Sequence, residues 1–193
     1  MRLLEPLAPP LCVACRAPAG RQRLCAACRR ALQWLPRAPV ALGGLRVWAP
    51  LRYEGPARAV VARLKFHGAA GLADHMAAAI AAGAPAGMLS APLVPVPGRP
   101  HAEWLADALA RRGNLRVVRL LSRSGGPRQV GRSRAERLRS PPSFAALAQG
   151  AGPLVLVDDV VTTGATLGAC AAVLSRAGWT CDSAVAYART GVR

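Results

Sequence analysis

The sequence predicts an α/β domain built on a doubly wound parallel sheet flanked by helices, with a small four-cysteine module ahead of it. Three observations carry this. From about residue 45 onward, apolar strand-like runs alternate with segments of helical apolar spacing. One run, PLVLV at 153–157, is apolar throughout, as a strand covered on both faces must be. Two CxxC pairs, CVAC at 12–15 and CAAC at 25–28, stand nine residues apart.

Taken in order, residues 1–37 read as the cysteine module, and Pro36, Pro39 and Gly43-Gly44 mark 38–44 as a linker. LRVWAPLRY (45–53) reads as a strand. Pro56 suits a first helical turn, and ARAVVARLKF follows with helical spacing. GLADHMAAAIAAG (71–83) is a second helix, closed by Gly83. PLVPVP (92–97) is a short strand, and HAEWLADALARRG (101–113) is a helix that stops at Gly113. LRVVRLL (115–121) is a strand candidate, and 122–150 reads as irregular and arginine-rich. PLVLVDD, GATLGACAAVLSRAG and SAVAYAR then give strand, helix and strand, with Gly178 as the helix stop. The main domain spans 45–193.

Among the 193 residues, Lys and Arg total 26 against 9 acids, for a net charge of +17, and Lys65 is the only lysine. Arginine-rich coding accounts for part of that excess. The scarcity of acids points beyond it, to polyanionic partners: nucleic acid, an anionic membrane surface or phosphorylated small molecules. Residues 111–139 hold ten arginines and one acid. The first twelve residues contain an acid and three prolines where a signal peptide needs an apolar run. The longest apolar stretch is interrupted by charge, glycine and proline, so a cytoplasmic chain without membrane insertion is expected.

In a reducing compartment, paired CxxC motifs read as metal ligands rather than disulfides. Cys12, Cys15, Cys25 and Cys28 would close a tetrahedral four-sulfur zinc site with no open position, hence structural; a redox-active CxxC is the alternative. Cys170 and Cys181, alone in apolar surroundings, read as packing residues.

The sharpest signal is VLVDDVVTTGAT at 155–166. A buried strand ends in two acids, a turn of small and hydroxylic residues follows, and a helix begins. Ligands of open α/β sheets sit at the carboxyl ends of strands. Free N–H groups at a helix start make an anion site. Thr162, Thr163 and Thr166 add hydroxyl donors, while Gly164 and Ala165 allow close approach. Asp158 and Asp159 suit ribose hydroxyls or a divalent cation such as Mg²⁺. No GxxxxGK[ST] loop is present.

This arrangement resembles the phosphoribosyl pyrophosphate motif of type I phosphoribosyltransferases. Tyr53, Gly55, Arg58 and the Leu64-Lys65-Phe66 triplet with Gly68 resemble the YxGxxRxxxxxLKFxG signature of the ComF family. Arg123, Gln129, Arg137 and Phe144 resemble that family's RxxxxxQ…R…F segment, and the cysteine pairs its zinc module. The resemblance covers almost the whole chain. It implies a type I phosphoribosyltransferase-like sheet and a phosphoribosyl pyrophosphate or related ribose phosphate as ligand. It also implies a link to natural transformation, with single-stranded DNA and other competence proteins as partners. Lys65, Arg99, Arg128 and Arg137 become candidate contacts to pyrophosphate or another polyanion. An active transferase, passing a phosphoribosyl group to a nucleobase with Mg²⁺, is the alternative. Two departures bear on it. The loop after VPVP is short, leaving Arg99 and His101 as its only pyrophosphate candidates. Thr162 stands where some relatives carry an acid, and a hydroxyl is no general base at neutral pH. Trp34, beside the basic cysteine module, is the best candidate for stacking on a base.

Overall fold

The computed structural model describes residues 10–67, 71–98, 100–124 and 143–191. A short helix α1 (Ala26–Arg30) lies within the cysteine module. Strands β1 (Val40–Leu42), β2 (Leu45–Trp48) and β3 (Leu51–Arg52) precede helices α2 (Gly55–His67) and α3 (Gly71–Gly83). Then come β4 (Leu93–Pro95), α4 (Pro100–Gly113), β5 (Leu121–Ser124) and β6 (Ser143–Ala146). The described chain closes with β7 (Pro153–Val161), α5 (Ala165–Arg176) and β8 (Thr180–Arg189).

The central sheet has the order β1-β2-β8-β7-β4, with β3 also paired to β8. Every pairing is parallel except β1–β2. The sheet is therefore mixed, not wholly parallel as expected. The cause is Gly43-Gly44, read from sequence as linker. Both glycines take positive φ (61° and 80°), and Leu42 pairs with Leu45 across them. Two consecutive positive-φ residues make the tight hairpin turn whose twist matches that of the strands.

Helices cover both faces. One apolar cluster joins α2, α3 and α4 to Trp48, Leu93, Val155, Val157, Val185 and Tyr187. The other joins α5 to Val47, Val94, Leu154, Leu156, Ala184 and Ala186. The odd–even split along β7 is the two-residue period of a strand buried on both sides. Alanine lets helices sit close: α3 buries Ala73 and Ala77 beside Leu72, Met76 and Ile80, a stripe at helical spacing. Each fully buried leucine, Leu64, Leu93 and Leu105 among them, contributes about 1.5–3 kcal/mol.

Three further expectations shift. The 45–53 strand splits into β2 and β3 around Ala49-Pro50; there Leu35 N–H donates to the Pro50 carbonyl, and Arg52 N–H to that of Gln33. Of LRVVRLL, Val117 makes a single parallel bridge to Leu93 at the edge beyond β4, and only Leu121 enters a strand, β5. Residues 121–124 pair antiparallel with 143–146, and all of them but Leu121 fall in the stretch expected to be irregular. The cysteine module packs on the main body, because Cys12 and Leu24 join the first apolar cluster. No helix among the described residues is long and apolar enough to cross a membrane.

Candidate functional site

The site forms where β7 leaves the sheet. The strand does not end at the acids, as expected, but runs on to Val161. Up to Val157 its odd residues face the first apolar cluster. Beyond the acids the sides exchange, with Val160 packing on the first cluster and Val161 on the second. The exchange falls on Asp158-Asp159. Their own neighbours hold them: Asp159 N–H donates to Asp158 Oδ1 and Val160 N–H to Asp159 Oδ1, both at 2.8 Å.

Asp159 is 3% exposed, and a buried carboxylate needs a counter-charge. Lys65, from α2, places Nζ 2.8 Å from Asp159 Oδ2; His101, from the first turn of α4, places Nε2 at 3.4 Å. Oδ2 makes no aligned hydrogen bond with either, and the Lys65 contact is an ion pair in character. His101, a candidate for pyrophosphate in the sequence, is 5% exposed and turned onto Asp159. Burial, and then the charge of Asp159, push the Asp158 carboxyl up to about 8.

After Val161, residues 162–164 turn sharply and α5 starts at Ala165. Gly164 caps the helix at φ 77°, a conformation that glycine adopts without cost. Thr162 and Thr163 are exposed and Thr166 half-buried. Thr163 Oγ1 accepts from the Ala165 N–H at 3.3 Å. A hollow of about 40 Å³ lies among Asp158, Thr162, Thr163, Gly164, Ala165 and Thr166. Beside it opens a cleft of about 350 Å³, bordered by Lys65, Asp158, Asp159, Thr162 and Thr166. Tyr53, Pro97, Arg123 and Phe144 complete its rim.

Asp158, Asp159, Thr162 and Thr166 thus meet Lys65 in one cleft, while Thr163, Gly164 and Ala165 border the adjoining hollow. Arg99, Arg128, Arg137 and Gln129 lie outside the described residues. Tyr53, Arg123 and Phe144 are marked in the sequence only by a resemblance to the motifs quoted above, and nothing local sets them apart as cleft residues. Two of the five described arginines of the basic run, Arg111 and Arg119, are held in ion pairs. Arg111 pairs with Asp74 at 3.0 Å; Arg119 pairs with Asp107 at 3.0 Å and Glu103 at 3.6 Å.

The second cluster is the cysteines. The sulfurs of Cys12, Cys15, Cys25 and Cys28 lie within 4.8 Å of one another, and those of Cys15 and Cys25 are 3.6 Å apart. Four thiolates about 2.3 Å from one ion are separated by about 3.8 Å, so the cluster suits a structural metal ion such as zinc. Burial opposes ionisation of Cys12, yet backbone N–H donors from Cys15, Cys25 and Ala14 bring its thiol down to about 6. Burial and the surrounding thiols push Cys28 up to about 12. A shared cation would resolve that conflict by holding all four as thiolates. Trp34 is 59% exposed, and Arg16, Arg21, Arg29 and Arg30 of the same module are exposed as well.

No protein-family model matches the chain, and no curated protein matches it.

Proposed function

We propose that the cleft binds a ribose 5-phosphate group, free or as part of a phosphoribosyl pyrophosphate-type ligand. The observation that carries this reading is that an acidic pair and a hydroxylic helix-start loop border the same cleft. Carboxylate oxygens accept from ribose hydroxyls. Backbone N–H groups and threonine hydroxyls at the start of α5 donate to phosphate oxygens. Tyr53 and Phe144 add aromatic surface for a sugar or base ring. The order of sequence motifs that resembles the ComF family supports the same ligand class and a type I phosphoribosyltransferase-like domain.

Binding, not transfer, is the function proposed. Transfer needs a loop that grips pyrophosphate, and His101, one of its two candidates, is buried with its Nε2 facing Asp159. Mg²⁺ fits the acidic pair poorly, since Oδ2 of Asp159 already faces the Lys65 ammonium. Calorimetric titration with ribose 5-phosphate and with phosphoribosyl pyrophosphate tests the reading. Both should bind, and Thr166→Val should weaken each about tenfold, the effect of removing one charge-assisted hydrogen bond. Absence of heat with both ligands removes the assignment.

A second reading, single-stranded DNA on the cysteine module, is favoured by an exposed Trp34 that closely follows the exposed Arg29 and Arg30 in the chain. Stacking on an aromatic beside a cationic track is how such strands are held without sequence preference.

A further inference from the structure

We propose that Lys65 is a built-in counter-cation that takes the place of a divalent metal at Asp159, so that the cleft binds its ribose phosphate without Mg²⁺. The inference rests on the ribose-phosphate reading and specifies the charge arrangement of that same cleft. Two carboxylates adjacent in sequence border a cleft proposed to hold a phosphate. Left uncompensated, the buried charge of Asp159 would repel that anion, and a divalent ion is the usual remedy. Here the Lys65 ammonium stands 2.8 Å from Asp159 Oδ2, and the lysine side chain, 22% exposed, reaches the cleft from α2. His101 closes the same oxygen from α4 at 3.4 Å. A metal approaching Asp159 would meet a fixed positive charge.

Residue choice supports this. Of 26 basic residues, 25 are arginine, and the single lysine stands at this position. A planar guanidinium spreads its charge over a wide fork. An ammonium is a compact point charge, closer in kind to a metal ion. Asp158 forms no such ion pair among the described residues. It keeps its oxygens for ribose hydroxyls, save the one that accepts from Asp159 N–H.

The test is a titration of the full chain with ribose 5-phosphate, in buffer freed of Mg²⁺ on a chelating resin and in millimolar Mg²⁺. A free chelator is avoided because it would strip the cysteine cluster. The wild type should bind with affinities within about twofold in the two buffers, and Lys65→Met about tenfold more weakly without Mg²⁺, with recovery when Mg²⁺ is added. Wild-type binding that collapses when Mg²⁺ is withheld overturns the proposal, with no variant needed. So does Lys65→Met binding at wild-type strength in metal-free buffer. A parallel titration with Mn²⁺ alone, read by water-proton relaxation, judges the counter-cation without the sugar. Uptake by Lys65→Met but not by the wild type supports it; uptake by the wild type that Asp159→Asn abolishes overturns it. No binding of ribose 5-phosphate in either buffer would instead remove the ribose-phosphate reading, while the Mn²⁺ result still decides whether Lys65 excludes a metal.

Discussion

Gly43, at the tip of the β1–β2 hairpin, packs directly against Gly164, the cap of α5. A Cβ on Gly164 would stand 2.9 Å from the Gly43 nitrogen and 2.8 Å from the Leu42 carbonyl carbon. A Cβ on Gly43 would collide with the Gly164 carbonyl oxygen, and one on Gly168 would lie 2.6 Å from the Gly43 carbonyl oxygen. The hairpin is thus a buttress behind the hydroxylic loop.

Gly43→Ala should therefore do two things that Gly44→Ala does not. Both positions have positive φ, so each alanine carries backbone strain of about 1 kcal/mol. At Gly44 nothing lies within 4 Å of the added methyl; at Gly43 the methyl meets backbone. Overpacking there adds about 1–3 kcal/mol. Denaturant midpoints should show the larger loss for Gly43→Ala, and only that variant should bind ribose 5-phosphate more weakly. Equal effects of the two alanines would mean that the hairpin does not support the loop.

Asp158 gives the molecule a pH signature. Its folded carboxyl titrates at about 8, against an ordinary value of 3.8, through burial and the charge of Asp159. A raised folded value means that the native state holds the proton more tightly than the unfolded chain does. The stability so gained is fully present below the ordinary value and disappears as the pH rises through about 8. Wild-type melting temperature should fall across that window relative to Asp158→Asn, whose amide cannot ionise. The gap between the two should be wider at pH 9 than at pH 5. A constant gap would show that Asp158 is ionised throughout.

The cysteine cluster should act on the whole molecule. Cys12 and Leu24 pack in the same apolar cluster as Trp48, Leu51 and Leu64, so loosening the module opens that cluster. Elemental analysis should find one metal ion per chain in the wild type and almost none in Cys12→Ser or Cys25→Ser. Chelation should lower the melting temperature of the main domain too, in a single transition. Cys170→Ala should leave the metal content unchanged, because Cys170 lies on the buried face of α5, in the second apolar cluster. A main-domain transition indifferent to chelation would show the module to be an independent appendage.

What the sequence reveals follows from how local the physics is. The run from β7 through α5 was legible because its signals are adjacent in the chain: a continuous apolar strand, two acids, a hydroxylic turn and a helix. The cysteine pairs were legible for the same reason. His101 was not, because its partner Asp159 is far away in sequence, and only the start of α4 brings the two together. The pairing of 121–124 with 143–146 was hidden too, since SRS and SFAA carry no alternation of apolar and polar residues. Gly43-Gly44 has two meanings, linker or tight hairpin, and the choice depends on a tertiary contact with Gly164 that local composition does not encode.

The exposed Trp34 supplies the test for nucleic acid. If bases stack on it, Trp34→Ala should weaken binding of an oligothymidine by about 1–3 kcal/mol while leaving the salt slope unchanged, because a stacking face releases no counterions. Arg29→Ala or Arg30→Ala should reduce affinity and lower the slope of log K against log salt by about one for each phosphate that is no longer neutralised. Asp158→Ala should leave this binding untouched, since the acidic pair belongs to the sheet and not to the cysteine module. Fluorescence anisotropy across a salt series separates these effects. If Trp34→Ala changes nothing while the arginine variants flatten the slope, the module attracts DNA by charge alone. If none of the variants changes binding, its basic face is a solvated surface and the nucleic-acid reading falls.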